Sequence, residues 1–334
     1  MTRTSVGIGT AMALALVLSG AARAQAPLRP LVEQHIAAAR AAAGAEHAGL
    51  FDAVCGTTRT VISQAASPQP VGAGRGGGTP PVAPPRETWH AEPVKVFDNL
   101  YFVGQTEYSA WAITTSQGII LLDAIYDYSV EDEVVGGLKK LGLDPAQIKY
   151  VVVSHGHGDH AAGAKLLQDR FGSRLVMSAA DYDLMDQQNP PWKPKRDIVA
   201  TDGYKLTLGD TTMTLYITPG HTEGTISSIF PVRDGGAPHV AAAWGGTLFN
   251  FGPNRARLAS YAISAERFRR LAADATADVI LSNHTIYDGS KTKLPAVQAR
   301  TAGQRHPYVV GPDVVARYLT TVGECAQAAV AGLR

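Results

Sequence analysis

The sequence predicts an α/β protein folded as a four-layer αββα sandwich, and three observations predict it. Short apolar strands alternate with helix-period stretches from about residue 88 onward. They fall into two strand-rich halves, each with its own helices. Each half also places side chains of metal-ligand type directly after apolar strands: His155 in the first, His221 and His284 in the second.

Residues 1–26 read as a signal peptide. Arg3 supplies a positive start, Ala11–Leu18 a short apolar stretch, and Ala22-Arg23-Ala24 or Ala24-Gln25-Ala26 the small residues of a cleavage site. The expectation is an exported, periplasmic protein with its leader ending near residue 24 or 26. No later stretch reaches the apolar length that a bilayer span needs. Residues 27–62 form a helical arm, in which Leu31, His35, Ala38, Ala39 and Ala42 recur at helix-like spacing. Residues 63–87 are rich in Pro, Gly, Ala and Ser, and read as a flexible linker because they bury too little apolar surface to offset ordering entropy. The globular domain is expected over residues 88–334.

Within it, Val94–Phe97, Leu100–Val103, Ala110–Thr114 and Ile119–Leu122 read as strands. Glu131–Leu141 carries helical periodicity and stops at Gly142. Val151–Val153 is a buried strand, Ala161–Phe171 a helix ending at Gly172, and Leu175–Met177 the next strand. In the second half, Thr211–Ile217, Ile226–Pro231, Val240–Ala243 and Val279–Leu281 read as strands. Ser264–Ala273 is expected as a helix capped by Ser264, and Pro312–Val330 closes the chain as a helix.

The formal net charge of +1 gives no electrostatic basis for nucleic acid or an anionic membrane as partner. With the leader removed, the expected partner is a small-molecule substrate; no oligomeric state is assigned. The two cysteines, Cys55 and Cys325, exclude zinc ribbons and thioredoxin-like motifs, since no C-x-x-C exists. In an oxidising compartment they either pair with each other or stay as independent thiols.

The densest chemistry is His155-Gly156-His157-Gly158-Asp159-His160, directly after the apolar run Tyr150–Val153. In extended chain, residues two apart point to the same side, so His155 and His157 present imidazoles to one ion. The two glycines permit tight, positive-φ backbone after the strand. The turn then swings Asp159 and His160 toward a second ion. Imidazole and carboxylate ligands suit zinc. A His-rich surface loop is the alternative, and the glycines and apolar flanks argue against it.

Together with Pro219-Gly220-His221-Thr222, with His284 after its buried strand, and with a strand ending in Asp123, this pattern resembles the metallo-β-lactamase superfamily over about residues 88–330. The resemblance implies two zinc ions, one bound by His155, His157 and His221, the other by Asp159, His160 and His284. His160 is an imidazole where some lactamases carry arginine. That leaves the all-His branch (class B, subclass 3) or the hydrolases resembling glyoxalase II and lactonases. In the latter, the stretch equivalent to 245–249 reads G-D-x-L-F and its Asp bridges the metals; here that position is Gly246. The tail His306–Gly311, Arg317-Tyr318 and Glu324-Cys325 also resembles subclass 3. One departure is the loop Gly245–Leu248, which lacks the serines that usually hold the substrate carboxylate; Thr222, Asn250 and Arg255 are candidate replacements.

The implied function is a periplasmic dinuclear zinc hydrolase that cleaves the β-lactam amide through a metal-bound hydroxide. Two ions sharing a water lower its pKa toward about 7. Asp159 binds metal and orients the nucleophile. The rival is a zinc hydrolase of another amide, ester or lactone. A zinc-storage protein is opposed by two three-ligand sites with open positions, and iron remains compatible with the ligands. His35, His47, His90 and His239 are read as surface or structural residues and His306 as packing. Trp111, Trp192 and Trp244 are candidate borders of a substrate groove, with core packing the default for Trp111. Residues 186–196 form either a flap or an ordinary surface loop.

Overall fold

The computed structural model describes residues 1–2, 28–66 and 82–333. The expected signal peptide, beyond its first two residues, and residues 67–81 of the expected linker lie outside them. Strands β1 (Val94–Phe97), β2 (Leu100–Phe102), β3 (Trp111–Thr115), β4 (Gly118–Leu122), β5 (Ile148–Val152), β6 (Arg174–Ser178) and β7 (Ile198–Ala200) form one sheet in that order. It is antiparallel from β1 to β4 and parallel from β4 to β7. A second sheet runs β12-β11-β10-β9-β8, with β8 (Tyr204–Leu208), β9 (Thr211–Ile217), β10 (Ile226–Asp234), β11 (Ala237–Trp244) and β12 (Val279–Ser282).

Alternation along the strands separates the layers. Ile113, Leu122, Val152 and Val176 of the first sheet meet Leu215, Phe230, Ala241 and Leu281 of the second in one buried cluster. Their neighbours Ala112, Leu121, Val151 and Leu175 face the other way, against Val134, Leu138, Leu167 and Tyr182. These last come from the π-helical turn Glu131–Val135, α3 (Gly136–Lys140), α5 (Ala164–Phe171) and α6 (Ala179–Gln188). Between β5 and α5 lies the single turn α4 (Gly158–Ala161). On the far side, Ile229, Ala242, Trp244 and Ile280 pack under α1 (Leu28–Ala43), α2 (Ala48–Ala66), α7 (Arg255–Asp274) and α9 (Pro312–Gly332). The four layers expected from the sequence are therefore present. Burying one large apolar side chain such as Phe268 in such a layer is worth about 1.5–3 kcal/mol.

The stretch expected as one helical arm is two helices, and α2 continues to Ala66 into the expected linker. Cys55 of α2 and Cys325 of α9 form a disulfide in the fully buried layer between those helices. The helix expected from Ser264 instead begins at Arg255. Its cap is Asn254, whose side chain accepts from Arg257 N–H at 3.0 Å. Ser264 lies mid-helix and donates to the Pro219 carbonyl at 2.8 Å. Helices α6 and α8 (Ser290–Gln298) and strands β7 and β8 were not foreseen, because they are short and only weakly periodic. No helix of the described residues is long and apolar enough to cross a membrane.

Candidate metal centre

The loops that follow β5, β9, β11 and β12 gather at one rim of the sandwich. His155 and His157 come from the first of these loops, and His157 opens α4, which carries Asp159 and His160. His221 lies between β9 and β10, and His284 follows β12. The glycines of the first loop permit a positive φ but do not use it. Gly156 is there for close approach instead: a Cβ would stand 3.1 Å from the Asp181 carbonyl and 3.3 Å from Met185. The positive φ falls on Asp123 (62°) and Ile125 (51°), after β4. Such backbone is uncommon outside glycine and concentrates at functional sites.

His155 Nε2 lies 3.1 Å from His221 Nε2, which lies 3.2 Å from His157 Nδ1. Donors sharing a tetrahedral ion at about 2.0–2.1 Å stand about 3.3 Å apart. The tautomers also fit. His155 Nδ1 faces the Gly245 carbonyl at 2.9 Å and His221 Nδ1 the Leu248 carbonyl at 2.7 Å, so both Nδ1 atoms carry the hydrogen. Two bare Nε2 lone pairs then point at one place, an arrangement that repels unless a cation or proton sits between them. Burial and, for each, neighbouring histidines hold the pKa of His155 and His221 well below the usual 6.5; burial lowers His157 too.

Asp159 Oδ2 lies 3.3 Å from His160 Nε2 and 3.8 Å from His284 Nε2, and the two Nε2 atoms are 3.3 Å apart. His155 also approaches Asp159 and His160 closely enough to share a cation. Behind this trio, Asp123 Oδ2 lies 3.1 Å from His160 Nδ1. Asp123 is itself held by the N–H and hydroxyl of Ser154, at 2.7 and 2.9 Å. Burial alone would lower the His160 pKa, but the carboxylates of Asp159 and Asp123 push it up to about 10. Burial would raise Asp159, and the facing His160, His284 and His157 hold it far below the usual carboxylate range. Burial and the neighbouring His160 lower His284 to about 3. Asp159 Oδ1 is buried without a hydrogen-bond partner among the described residues.

All six sequence-predicted residues are thus brought together. Tyrosines line the side of the second trio. Tyr108 stacks edge-on to His284 at 5.1 Å and to Tyr126 at 5.2 Å, Tyr126 stacks on Tyr128 at 5.0 Å, and Tyr287 lies 5.2 Å from His284. No local pattern in the sequence points to this wall, since its members are scattered along the chain. Trp111, Trp192 and Trp244 are all buried in the cores, as their apolar area favours. Of residues 186–196, the first three end α6, and the rest are pinned by buried Trp192 and the Lys193–Asp186 pair at 3.1 Å. Thr222 is buried and occupied by Asp181 and Thr225, so it offers no substrate contact. His47 Nε2 donates to the Val314 carbonyl of α9 at 3.0 Å, and His306 stacks on Phe97 at 4.0 Å, both as structural residues. His35, His90 and His239 pair with Glu324, Glu133 and Asp278, each at 2.6 Å.

Residues 103–234 match the family model of the metallo-beta-lactamase superfamily. Among solved structures, BJP-1, a subclass B3 metallo-beta-lactamase of Bradyrhizobium japonicum, is 26% identical, with a TM-score of 0.58 over 70% of this chain and 91% of that one. A hydroxyacylglutathione hydrolase of Acidiphilium cryptum is 34% identical over 109 residues, 33% of this chain and 39% of the relative. An N-acyl homoserine lactonase of a Bacillus species is 30% identical over 110 residues, 32% of this chain and 42% of the relative. The match therefore spans less than half the length of either curated relative.

Proposed function

We propose that this chain, which carries a metallo-beta-lactamase superfamily hydrolase domain and has subclass B3 enzymes as structural neighbours, is a dinuclear zinc hydrolase that opens the amide of a β-lactam. His155, His157 and His221 would hold one ion, and Asp159, His160 and His284 the other. Bound zinc supplies Lewis acidity to a scissile carbonyl and acidifies water toward a pKa of about 7. The chain's own residues do the rest. Asp159 Oδ1, which has no protein partner among the described residues, would accept a hydrogen bond from the nucleophile and fix its direction. Asp123 faces His160 Nδ1 from behind at 3.1 Å, as its charge partner. Tyr108 and Tyr287 bound the space on the second-trio side. Both cysteines are tied up in the disulfide, so no thiol competes as nucleophile. That disulfide also supports export to an oxidising compartment, with the periplasm as the proposed location.

One observation carries the choice of substrate. A Cβ on Gly246 would stand 2.5 Å from His221 Cβ and 2.8 Å from its Cγ. The aspartate that bridges the metals in the glyoxalase II and lactonase pattern has no room here unless His221 moves. A second reading, hydrolysis of a thioester or lactone, is favoured by the absence of carboxylate-gripping serines in Gly245–Leu248 and by the names of the curated relatives. A panel of penicillins, cephalosporins and carbapenems, run beside lactones and thioesters on zinc-loaded protein, separates the two. The β-lactam reading expects weak to moderate cephalosporin turnover that chelation abolishes and zinc restores. Thioester or lactone turnover without β-lactam cleavage would replace it with the second reading.

A further inference from the structure

Asp181, in the first turn of α6, is fully buried, and nothing in the sequence marked it out. Its carboxylate ties together the two loops that carry the first trio. Oδ2 accepts from Gly156 N–H at 3.0 Å and from the Thr222 hydroxyl at 2.8 Å, while Oδ1 accepts from Gly224 N–H at 3.1 Å. Gly156 stands between His155 and His157, and Thr222 follows His221. Every histidine of the first trio is therefore adjacent in sequence to a group that Asp181 holds. Asp159, His160 and His284 have no such neighbour.

The seat is tight on both sides. A Cβ on Gly224 would lie 2.0 Å from Ser178 Oγ and 2.7 Å from Asp181 N, and one on Gly156 would lie 3.1 Å from the Asp181 carbonyl. Ser178 in turn caps α6 by accepting from Asp181 N–H at 3.2 Å. Both loops thus rest on the start of one helix, with the carboxylate as the joint. Among the described residues Asp181 has no ion-pair partner. A buried carboxylate met only by neutral donors costs stability relative to an apolar or neutral side chain. Fold stability alone is therefore a poor reason for its presence.

We propose that Asp181 is a positioning residue for the first metal trio: it fixes the spacing between the His155–His157 loop and the His221 loop, and so sets the affinity of that site and not of the other. The inference rests on the two-ion reading above. The full chain is stripped of metal and titrated with Zn²⁺ against a competing chromophoric chelator, giving two stepwise affinities. Asp181→Asn keeps the shape but turns an N–H toward one of the donors. Its first-trio dissociation constant is expected to rise about 10- to 100-fold, with the second-trio constant moving less than about threefold. Thr222→Val removes one of the three bonds and should give a smaller loss at the same site; it carries the test if Asp181→Asn fails to fold. Parallel loss at both sites, or wild-type affinities in the variant that is read, overturns the positioning role. A wild-type chain that binds fewer than two ions overturns the two-ion reading instead.

Discussion

The two trios use the same side-chain types at one rim of the fold, yet they are held in opposite ways. Backbone carbonyls orient the first: Gly245 and Leu248 receive the Nδ1–H groups of His155 and His221. A carboxylate orients the second, with Asp123 behind His160 and Asp159 in front of it. A carbonyl fixes a tautomer and leaves the ring neutral, whereas a carboxylate also raises its basicity. The first trio therefore stands ready for a cation near neutral pH. At the second, the carboxylates facing His160 favour a proton on its ring, and a cation would compete with that proton.

The largest expected effect comes from removing the residue that has two roles at the second trio. Asp159→Ala is expected to lower turnover about 10³-fold, to lose the ion held with His160 and His284, and to keep the first. Its melting temperature should change far less than its rate. Loss of both ions together in this variant would erase the distinction between the trios.

Proton competition gives the next largest contrast. His160 is pushed up to about 10, so cation binding beside it releases a proton throughout the range below that value. Second-trio affinity should then rise by up to about tenfold per pH unit from pH 6.5 to 8.5. His155, His157 and His221 are lowered from 6.5, so the first trio is already deprotonated and its affinity should stay nearly flat over the same interval. Chelator-competition titrations at three pH values measure both slopes, and equal slopes would contradict the account.

Asp123→Asn sharpens the comparison from the supporting side. It should weaken the second trio about 10- to 100-fold while leaving the first within a few fold, the mirror image of the result expected at Asp181. Breaking the disulfide should leave the difference between the trios unchanged. Cys55→Ser removes a link behind the second sheet and should lower denaturation stability by at most about 5 kcal/mol, the upper bound for so long a loop. Chemical denaturation of the wild type with and without reductant, beside the variant, checks this.

The sequence made the ligands legible because their constraint is local. His155, His157, Asp159 and His160 are close in sequence, and His221 and His284 each follow an apolar strand. The layers were legible for a similar reason: strands such as Ile119–Leu122 announce themselves by period and composition. The supports were not. Asp181 sits in a short helix that the sequence does not announce, and its three partners come from two distant loops. Gly156 reads as a turn glycine, but its role is to let Asp181 and Met185 approach. The start of α7 was missed because its first turn, Arg255-Ala256-Arg257, carries no large apolar side chain, so the apolar period emerges only from Leu258.

The central claim is that these six side chains make two separable cation sites, and counting metal in ligand variants tests it most directly. Wild type, His157→Ala and His284→Ala are loaded with zinc, passed over a desalting column and assayed for bound metal against protein at graded chelator concentrations. The account predicts two ions in the wild type. His284→Ala should lose one ion at low chelator and keep the other at wild-type affinity. His157→Ala should show weakened binding at the site the other variant retains. Equal loss of both ions in His284→Ala, or no stoichiometric metal in the wild type, would contradict it.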